Sequence, residues 1–460
     1  MGGTFIFRIE DTDSARDSEE SYQALVDALR WLHLDWDEGP EVGGPHEPYR
    51  QSLRMDIYAG VASKLRDAGF TYDCYCIPAE LEASRERAKA EKRPPGYEGT
   101  CRNLTAEQIA NHQAAGRPFV VRFKMVQHDT RWDDLVRGEI TFPAGHVPDY
   151  VVVRANGEPL YTLVNPVDDI LMGVTHVLRG EDLLSSTPRQ LAMYEALNAI
   201  GVGDGHLPEL GHLPYVMGEG NKKLSKRDPE ASLSMYVEQG YLPEGLTNYL
   251  ALLGWSLSED RDRFSLQEMV DAFDIRRVNP SPARFDLKKC TALNADWIRT
   301  LELDDLIDRL IPMLRREGLL ADEDQATRSV LKKAVPLVQE RIETLGQGVT
   351  MLRFLLIDDE QFSVDPDDGA KLLTAETRPT LAGARESLAD LQMWDTPSIE
   401  SVLRAALVEG LGLKPKNAFG PVRVAVTGRR VSPPLFESLE ILGRERSLQR
   451  LDQAIMASAT

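Results

Sequence analysis

Apolar positions recur along this chain with two different periods, and the change from one to the other marks its parts. TFIFRI (residues 4–9) is a short, apolar, β-prone run, EDTD is a polar turn after it, and Asp17 or Ser18 can cap the next element. Tyr22, Leu25, Val26, Leu29 and Leu32 then recur at helical spacing, and Leu53, Ile57, Val61 and Leu65 repeat that pattern in a second helix. Strand followed by helix predicts an α/β nucleotide-binding layer. From about Thr71 to Asn165 the character changes. A cysteine-bearing loop and a charged helix (residues 81–92) precede FVVRFKM, EITF and YVVVRANGEPLYTLV, which read as strands. Asn156-Gly157 predicts a hairpin turn between the last two. A parallel layer resumes at VTHVLRGED, so the intervening stretch reads as an insertion. Thr187 as N-cap, with Pro188 at the first helical position, predicts a helix that Gly201 can end. From about Leu242 onward helical patterns dominate, with short Gly/Pro breaks and no internal repeat.

The 460 residues suit about three domains, with 42% hydrophobic and 27% charged residues describing a globular chain with sizeable cores. No apolar run approaches the ~20 residues of a membrane helix, and the opening residues lack a signal-peptide pattern, so a cytoplasmic chain without membrane contact is expected. The net charge of −20 argues against indiscriminate polyanion binding. Basic islands remain: residues 414–430 hold five Lys or Arg and no acid, and residues 222–227 hold four of six. Such a distribution suits a selective partner better than indiscriminate coating of nucleic acid. Of the four cysteines, Cys74, Cys76 and Cys101 share one short segment, which suggests tetrahedral zinc with a fourth ligand to find. Three reduced thiols without metal are the alternative. Cys290 reads as a buried core thiol.

Residues 218–228, GEGNKKLSKRD, contain Lys223-Leu-Ser225-Lys226-Arg227, with the spacing of the Lys-Met-Ser-Lys-Ser loop of class I aminoacyl-tRNA synthetases. Lysines on a glycine-flanked loop can close over the charge that builds on ATP phosphates and leave with pyrophosphate. A solvated basic loop is the alternative for this pentapeptide alone. RIEDTD, YTLVN, HVLRGEDLLSSTPRQ, KLSKRD, NYLALLGWS, SPARFD and VSPPLFESLEILGRER also stand in order along the chain. Together this series resembles the bacterial glutamyl-tRNA synthetases from residue 4 almost to the C-terminus.

That resemblance implies ATP, Mg²⁺ and glutamate as ligands and glutamate tRNA as partner, and it leaves open whether glutamine tRNA is charged or activation waits for tRNA. It places the carboxylate for the substrate ammonium at Glu10 and the guanidinium for the substrate side chain at Arg179, with Tyr161 and Asn165 lining the same pocket. Recognition of a dicarboxylic amino acid requires such a pair. Read without the motif, Glu10 is a cap or surface carboxylate and Arg179 a partner of Glu181 or Asp182. Lys223 and Lys226 fall at the catalytic positions, and Lys223, Ser225, Lys226 and Arg227 at the ATP-binding ones. Tyr97 stands four residues before Cys101, as in family members that complete a zinc site of Cys74, Cys76 and Cys101 with a tyrosine. Arg341 falls near an anticodon-reading arginine, and Lys414, Lys416 and Arg423 suit RNA phosphates, with Phe419 able to stack on a base; a solvated loop is the alternative.

The implied architecture is a Rossmann-type α/β catalytic domain in two parts (1–70 and 165–215) around a connective insertion (71–164). A stem-contact region (216–290) and all-α anticodon-binding domains (291–460) complete a chain expected to be monomeric. The family's His-Ile-Gly-His type motif and the first strand before it have no counterpart here. A chain truncated at its N-terminus and impaired in adenylate formation is therefore expected, with a catalytically silent tRNA-binding paralogue as the alternative. The queuosine-modifying glutamyl transferases lack a helical second half, and the glutaminyl enzymes carry a β-barrel there, so neither fits.

Overall fold

In the computed structural model, which describes residues 2–12, 18–92, 96–218, 220, 222–225, 228–321 and 325–458, the chain forms two compact units. The first comprises Met1–Leu224, Ala251–Glu259 and Gln267–Phe285; the second comprises Ser225–Leu250, Asp260–Leu266 and Asp286–Thr460.

In the first unit, helix α1 spans Glu19–Trp31, with Ser18 as its N-cap accepting from the Ser21 amide. Of its predicted apolar stripe, Tyr22 and Val26 are buried while Leu25 stays exposed. Asp17, the other candidate cap, lies outside the described residues. The TFIFRI run does not form a continuous strand. It touches neighbouring backbone at two isolated parallel bridges, Ile6 to Glu38 and Ile9 to Arg50, because each partner segment turns away after one residue pair. Helix α2, Met55–Asp67, begins after Leu53, which remains exposed; its buried face is Tyr58, Val61 and Leu65 rather than the full predicted set.

Strand β1 (Thr71–Cys74) leads into helices α3 (Pro78–Ala90) and α4 (Ala106–Ala114) and then β2 (Val120–Phe123). Hairpin β3–β4 (Thr130–Asp134 and Gly138–Phe142) and β5 (Tyr150–Val153) come next. Strands β1, β2 and β5 make one antiparallel sheet in that order. The Asn156-Gly157 turn exists, with Gly157 at φ 86°, but its second arm is not a strand. After one bridge between Val153 and Pro159 the chain enters helix α5, Tyr161–Leu171. Leu163, Val164 and Val167 on α5 join Tyr58, Val61 and Leu65 on α2 and Val121, Phe123 and Val152 on the sheet in one core. An apolar run of that length is compatible with either period, and burial against α2 decides for the helix.

The predicted parallel layer is β6 (His176–Gly180) paired with β7 (Glu209–Leu213), connected through helix α6 (Thr187–Ala199). Thr187 is not the N-cap. It is the first helical residue, fully buried, and its hydroxyl bonds to the side chains of Arg179 and His212, while Ser186 occupies the cap position. Gly201 stands after the helix at φ 71°, as a helix-ending glycine does. A short parallel pair, β8 (Val216–Met217) with β9 (Ala283–Arg284), completes the strands described in this unit.

From residue 286 onward the second unit is built of helices joined by short turns, with no strand among its described residues. Helix Leu303–Arg316 has the sharpest division, burying Leu306, Ile307, Leu310, Ile311, Met313 and Leu314 on one stripe. These join Leu352, Leu381, Leu403, Val422, Leu439 and Leu451 in a single core. Cys290 is fully buried, and burial pushes its thiol up to about 12, consistent with an inert packing role. No described helix is long and apolar enough to cross a membrane.

Candidate active site

Helix α5 presents Tyr161, Asn165, Asp168 and Asp169 along one stripe, since residues three, four, seven and eight apart share a helix face. Asn165 donates from Nδ2 to Glu10 Oε1 at 2.6 Å and accepts at Oδ1 from Gln51 Nε2 at 3.0 Å. Because a carboxylate only accepts, this pairing fixes the amide orientation. Arg8 donates to Asp169 at 2.9 Å and to Glu10 at 3.3 Å. Burial opposes the Arg8 charge, yet Asp169, Glu10 and Asp168 raise its pKa further, so it is a permanent cation. Glu10 is thus held on two sides while its side chain stays 44% exposed.

Beneath it lies Asp168, wholly buried. It accepts from Arg54 Nε at 2.8 Å, Tyr58 Oη at 2.7 Å and Gln51 Nε2 at 3.1 Å. Burial together with Asp168 raises the Tyr58 pKa, so the phenol remains a donor. Gln51 therefore couples this buried centre to Asn165 and, through it, to Glu10.

Helix α6 ties this cluster to Arg179 on β6. Tyr194 donates to Asp169 at 2.7 Å, Gln190 reaches the Tyr161 hydroxyl at 3.5 Å, and Thr187 accepts from Arg179 Nη2 at 2.8 Å. Positions 187, 190 and 194 share one face of α6, which is why one helix can touch all three. Arg179 forms no ion pair with Glu181 or Asp182. Glu181 binds Arg137 and the Tyr215 amide, and Asp182 binds Lys223 Nζ at 3.0 Å. The guanidinium carries its charge with no carboxylate partner among the described residues.

Lys223 also rests over the Tyr215 ring at 4.3 Å, so in this state it is docked on β6–β7 connections rather than free. Ser225 donates its amide to Asp228 Oδ2 at 2.7 Å. Lys226 and Arg227 lie outside the described residues.

Cys74, Cys76 and Cys101 converge, with their sulfurs within 4.8 Å of one another and Cys76 and Cys101 at 3.6 Å. Tetrahedral zinc with bonds of about 2.3 Å places its sulfurs about 3.8 Å apart, so the spacing fits. Tyr97 places its hydroxyl 3.4 Å from Cys74 Sγ and accepts from the Cys101 amide at 2.7 Å. Burial, with the neighbouring Cys74 and Cys101, pushes the Cys76 thiol up to about 12. Tyr97 and Tyr161 both line a cleft of about 590 Å³ that also takes in Arg122, Tyr150 and Arg189.

In the second unit, residues 414–430 are not a loop. Lys414 is the N-cap residue of helix Pro415–Thr427, and Lys414 and Lys416 are exposed at its start. Phe419 is half-buried and edge-on to Phe436 at 5.3 Å, so its ring is part of the core margin rather than open for a base. Arg423 donates to Ser432 Oγ at 2.8 Å and the Pro433 carbonyl at 2.6 Å, and burial lowers its pKa. Arg341 is exposed and lines a cleft of about 920 Å³ with Arg299 and Arg429.

Arg8, Gln51, Arg54, Asp168, Asp169, Gln190, Tyr194 and His212 were not singled out by sequence. Arg8 stands two residues before Glu10, and Asp168–Asp169 share the α5 stripe with Tyr161. A helical reading of YTLVNPVDD is the signal that would have found them.

Residues 1–292 match the family model for class I tRNA synthetases (E and Q), catalytic domain, and residues 305–455 match that for an anticodon binding domain. The fold is that of a class I aminoacyl-tRNA synthetase. The chain is 57% identical to the glutamate–tRNA ligase of a Nocardioides species, over 98% of this chain and 92% of that one. It is 58% identical to the Saccharopolyspora erythraea glutamate–tRNA ligase, over 98% and 89%. A crystal structure of the Elizabethkingia meningosepticum glutamate tRNA ligase in complex with its amino acid superposes with a TM-score of 0.82 at 28% identity, covering 99% of this chain and 93% of that one. The chain belongs to the glutamate–tRNA ligase family. These matches do not bear out the expected N-terminal truncation, and they do not favour the silent paralogue.

Proposed function

We propose that the chain activates glutamate with ATP and transfers it to the 3′ end of tRNA. The observation that carries this reading is a braced, accessible Glu10 together with an Arg179 that no carboxylate among the described residues compensates, on elements joined by α6. Glu10 receives the substrate ammonium, with Asn165 and Tyr161 beside it, and Arg179 receives the side-chain carboxylate. The substrate α-carboxylate oxygen then attacks the α-phosphorus of ATP, forming the mixed anhydride as pyrophosphate leaves; Mg²⁺ bound with the nucleotide would offset phosphate charge. Lys223 and Lys226 neutralise the pyrophosphate, and Ser225 and Arg227 complete that side of the nucleotide. For Lys223 this requires release from Asp182, an exposed pair that costs little to break. A hydroxyl of the terminal ribose next attacks the carbonyl carbon and AMP leaves. The protein contributes position and charge and forms no covalent bond to substrate.

Zinc held by Cys74, Cys76, Cys101 and Tyr97 would fasten the start of the insertion, where β1 passes into α3, and supplies structure rather than chemistry. Lys414, Lys416 and Arg341 contact tRNA phosphates or bases. Arg423, whose Nη1 is occupied by Ser432 and Pro433, acts by positioning that helix. Charging assays with glutamate, glutamine and aspartate test the function. Esterification of glutamate alone to tRNA is expected; charging with glutamine instead, or with none of the three, would overturn it.

A further inference from the structure

Arg179 is held from the protein side by a chain of buried groups to which the reaction assigns no role. In the parallel register of β6 and β7, Arg179 stands directly beside His212, so both side chains project from the same face. Arg179 Nε donates to His212 Nε2 at 3.1 Å. A guanidinium has donors only, so Nε2 must be the unprotonated, accepting nitrogen. The ring proton is therefore on Nδ1, which lies 2.5 Å from Asp134 Oδ2. Asp134 is itself immobilised. Its Oδ1 accepts the amides of Val136 at 3.2 Å, Arg137 at 3.1 Å and His212 at 3.0 Å, and Oδ2 also accepts from Trp132 Nε1 at 3.3 Å. Thr187 Oγ1 closes the arrangement, 2.8 Å from Arg179 Nη2 and 3.0 Å from His212 Nε2. His212 and Thr187 are 0% exposed and Asp134 is 2% exposed, so water does not compete for these bonds.

Burial would raise the Asp134 carboxyl, but the His212 side chain and backbone and Trp132 hold it well below the ordinary range, so it remains an anion behind the imidazole. A carboxylate touching Arg179 directly would neutralise it. With a neutral ring between them, the anion fixes the tautomer while the guanidinium keeps its charge. Nη1 of Arg179 has no partner among the described residues and is the edge left to a ligand.

We propose that Asp134 and His212, with Thr187, form a positioning relay that aims the Arg179 fork at the substrate side-chain carboxylate. The relay rests on the reading of Arg179 as the group that binds that carboxylate. It extends the site into the β3–β4 hairpin, which supplies Asp134 from the middle of the insertion.

Steady-state ATP–pyrophosphate exchange with added tRNA, in the full chain, separates the possibilities. His212→Asn can keep a partner for Asp134 but loses the acceptor at Nε2. His212→Gln can offer an amide oxygen near the Nε2 position while giving up Asp134. Loss of one hydrogen bond to the charged fork is expected to raise the glutamate KM about tenfold in His212→Asn, leaving the ATP KM within about twofold. His212→Gln should recover part of that loss. Thr187→Val, nearly isosteric, removes only the hydroxyl and should raise the glutamate KM about threefold or more; it keeps the test open if His212→Asn fails to fold. Arg179→Ala is the reference. A raised glutamate KM in Arg179→Ala with unchanged values in folded His212→Asn and Thr187→Val overturns the relay alone. Unchanged values in all three overturn the role of Arg179, and the relay with it. Equal rises for glutamate and ATP mark a general loss of structure and also overturn the relay.

Discussion

Replacing Asp168 by alanine removes the buried carboxylate on which the floor of the proposed glutamate pocket is built. The side chains of Asp168 and Arg54 are 0% and 4% exposed and meet at 2.8 Å, so solvent does not screen the pair. Breaking one partner out of a buried ion pair costs about 3–5 kcal/mol, because the remaining charge is left uncompensated. Arg54 keeps its bonds from Nη1 to the His46 and Pro48 carbonyls at 3.0 and 3.1 Å, which places the expected loss near the lower end, about 3 kcal/mol. Hydrogen exchange of the amides of α2 and α5 reads this locally, without requiring both units to unfold together. A loss of about 3 kcal/mol corresponds to roughly a hundredfold drop in protection wherever exchange follows opening of this core. The double variant Arg54→Met, Asp168→Leu removes both charges and should recover much of that protection, since no orphan charge remains. If Asp168→Ala changes protection less than about threefold, or if the double variant is worse than the single, the pair does not support the pocket floor.

The other sites give three further expected outcomes. Protein purified without metal-affinity steps should carry close to one zinc per chain, and Cys76→Ser should release it; metal-free protein of unchanged thermal stability would exclude the site. Lys414→Glu with Lys416→Glu should weaken tRNA binding and flatten the slope of log affinity against log salt by about 1–2, leaving ATP binding intact. Binding that keeps its full salt dependence would make these lysines solvated surface. Arg423→Ala should lower the stability of the helix Pro415–Thr427 region more than it lowers the salt slope, because its guanidinium is bonded to Ser432 and Pro433.

The helical second unit and the motif positions could be read from sequence because they depend on local period and on residues close in the chain. Tyr22 and Val26 needed only the 3.6-residue repeat to be placed on the buried face of α1. The site's interior was harder. Reading YTLVN as the second arm of a hairpin hides Asp168 and Asp169, which belong with Tyr161 and Asn165 only on a helix. An apolar run after an Asn-Gly turn satisfies a strand pattern locally, and its packing through Leu163, Val164 and Val167 against α2 and the sheet overrules that pattern. The same limit applies to Thr187. Its sequence context, just before proline, marks a cap, yet the bonds to Arg179 and His212 come from residues 8 positions before and 25 after. Arg179 carried two readings in sequence, an ion pair or a ligand; the spatial assignment of Glu181 to Arg137 and Asp182 to Lys223 removes the first and supports the proposed second.

The most direct test of the central claim is glutamate-dependent ATP–pyrophosphate exchange in the presence of tRNA, with wild-type chain and Arg179→Ala compared over glutamate and ATP titrations. Arg179 offers the pocket's guanidinium uncompensated by any carboxylate among the described residues, and hydrogen bonds to charged groups contribute about 1.5–3 kcal/mol. Glutamate should therefore drive exchange in the wild type. Arg179→Ala should raise the glutamate KM at least about tenfold while the ATP KM stays within about twofold. No glutamate-dependent exchange, or identical glutamate kinetics in the two proteins, would contradict the assignment of this pocket.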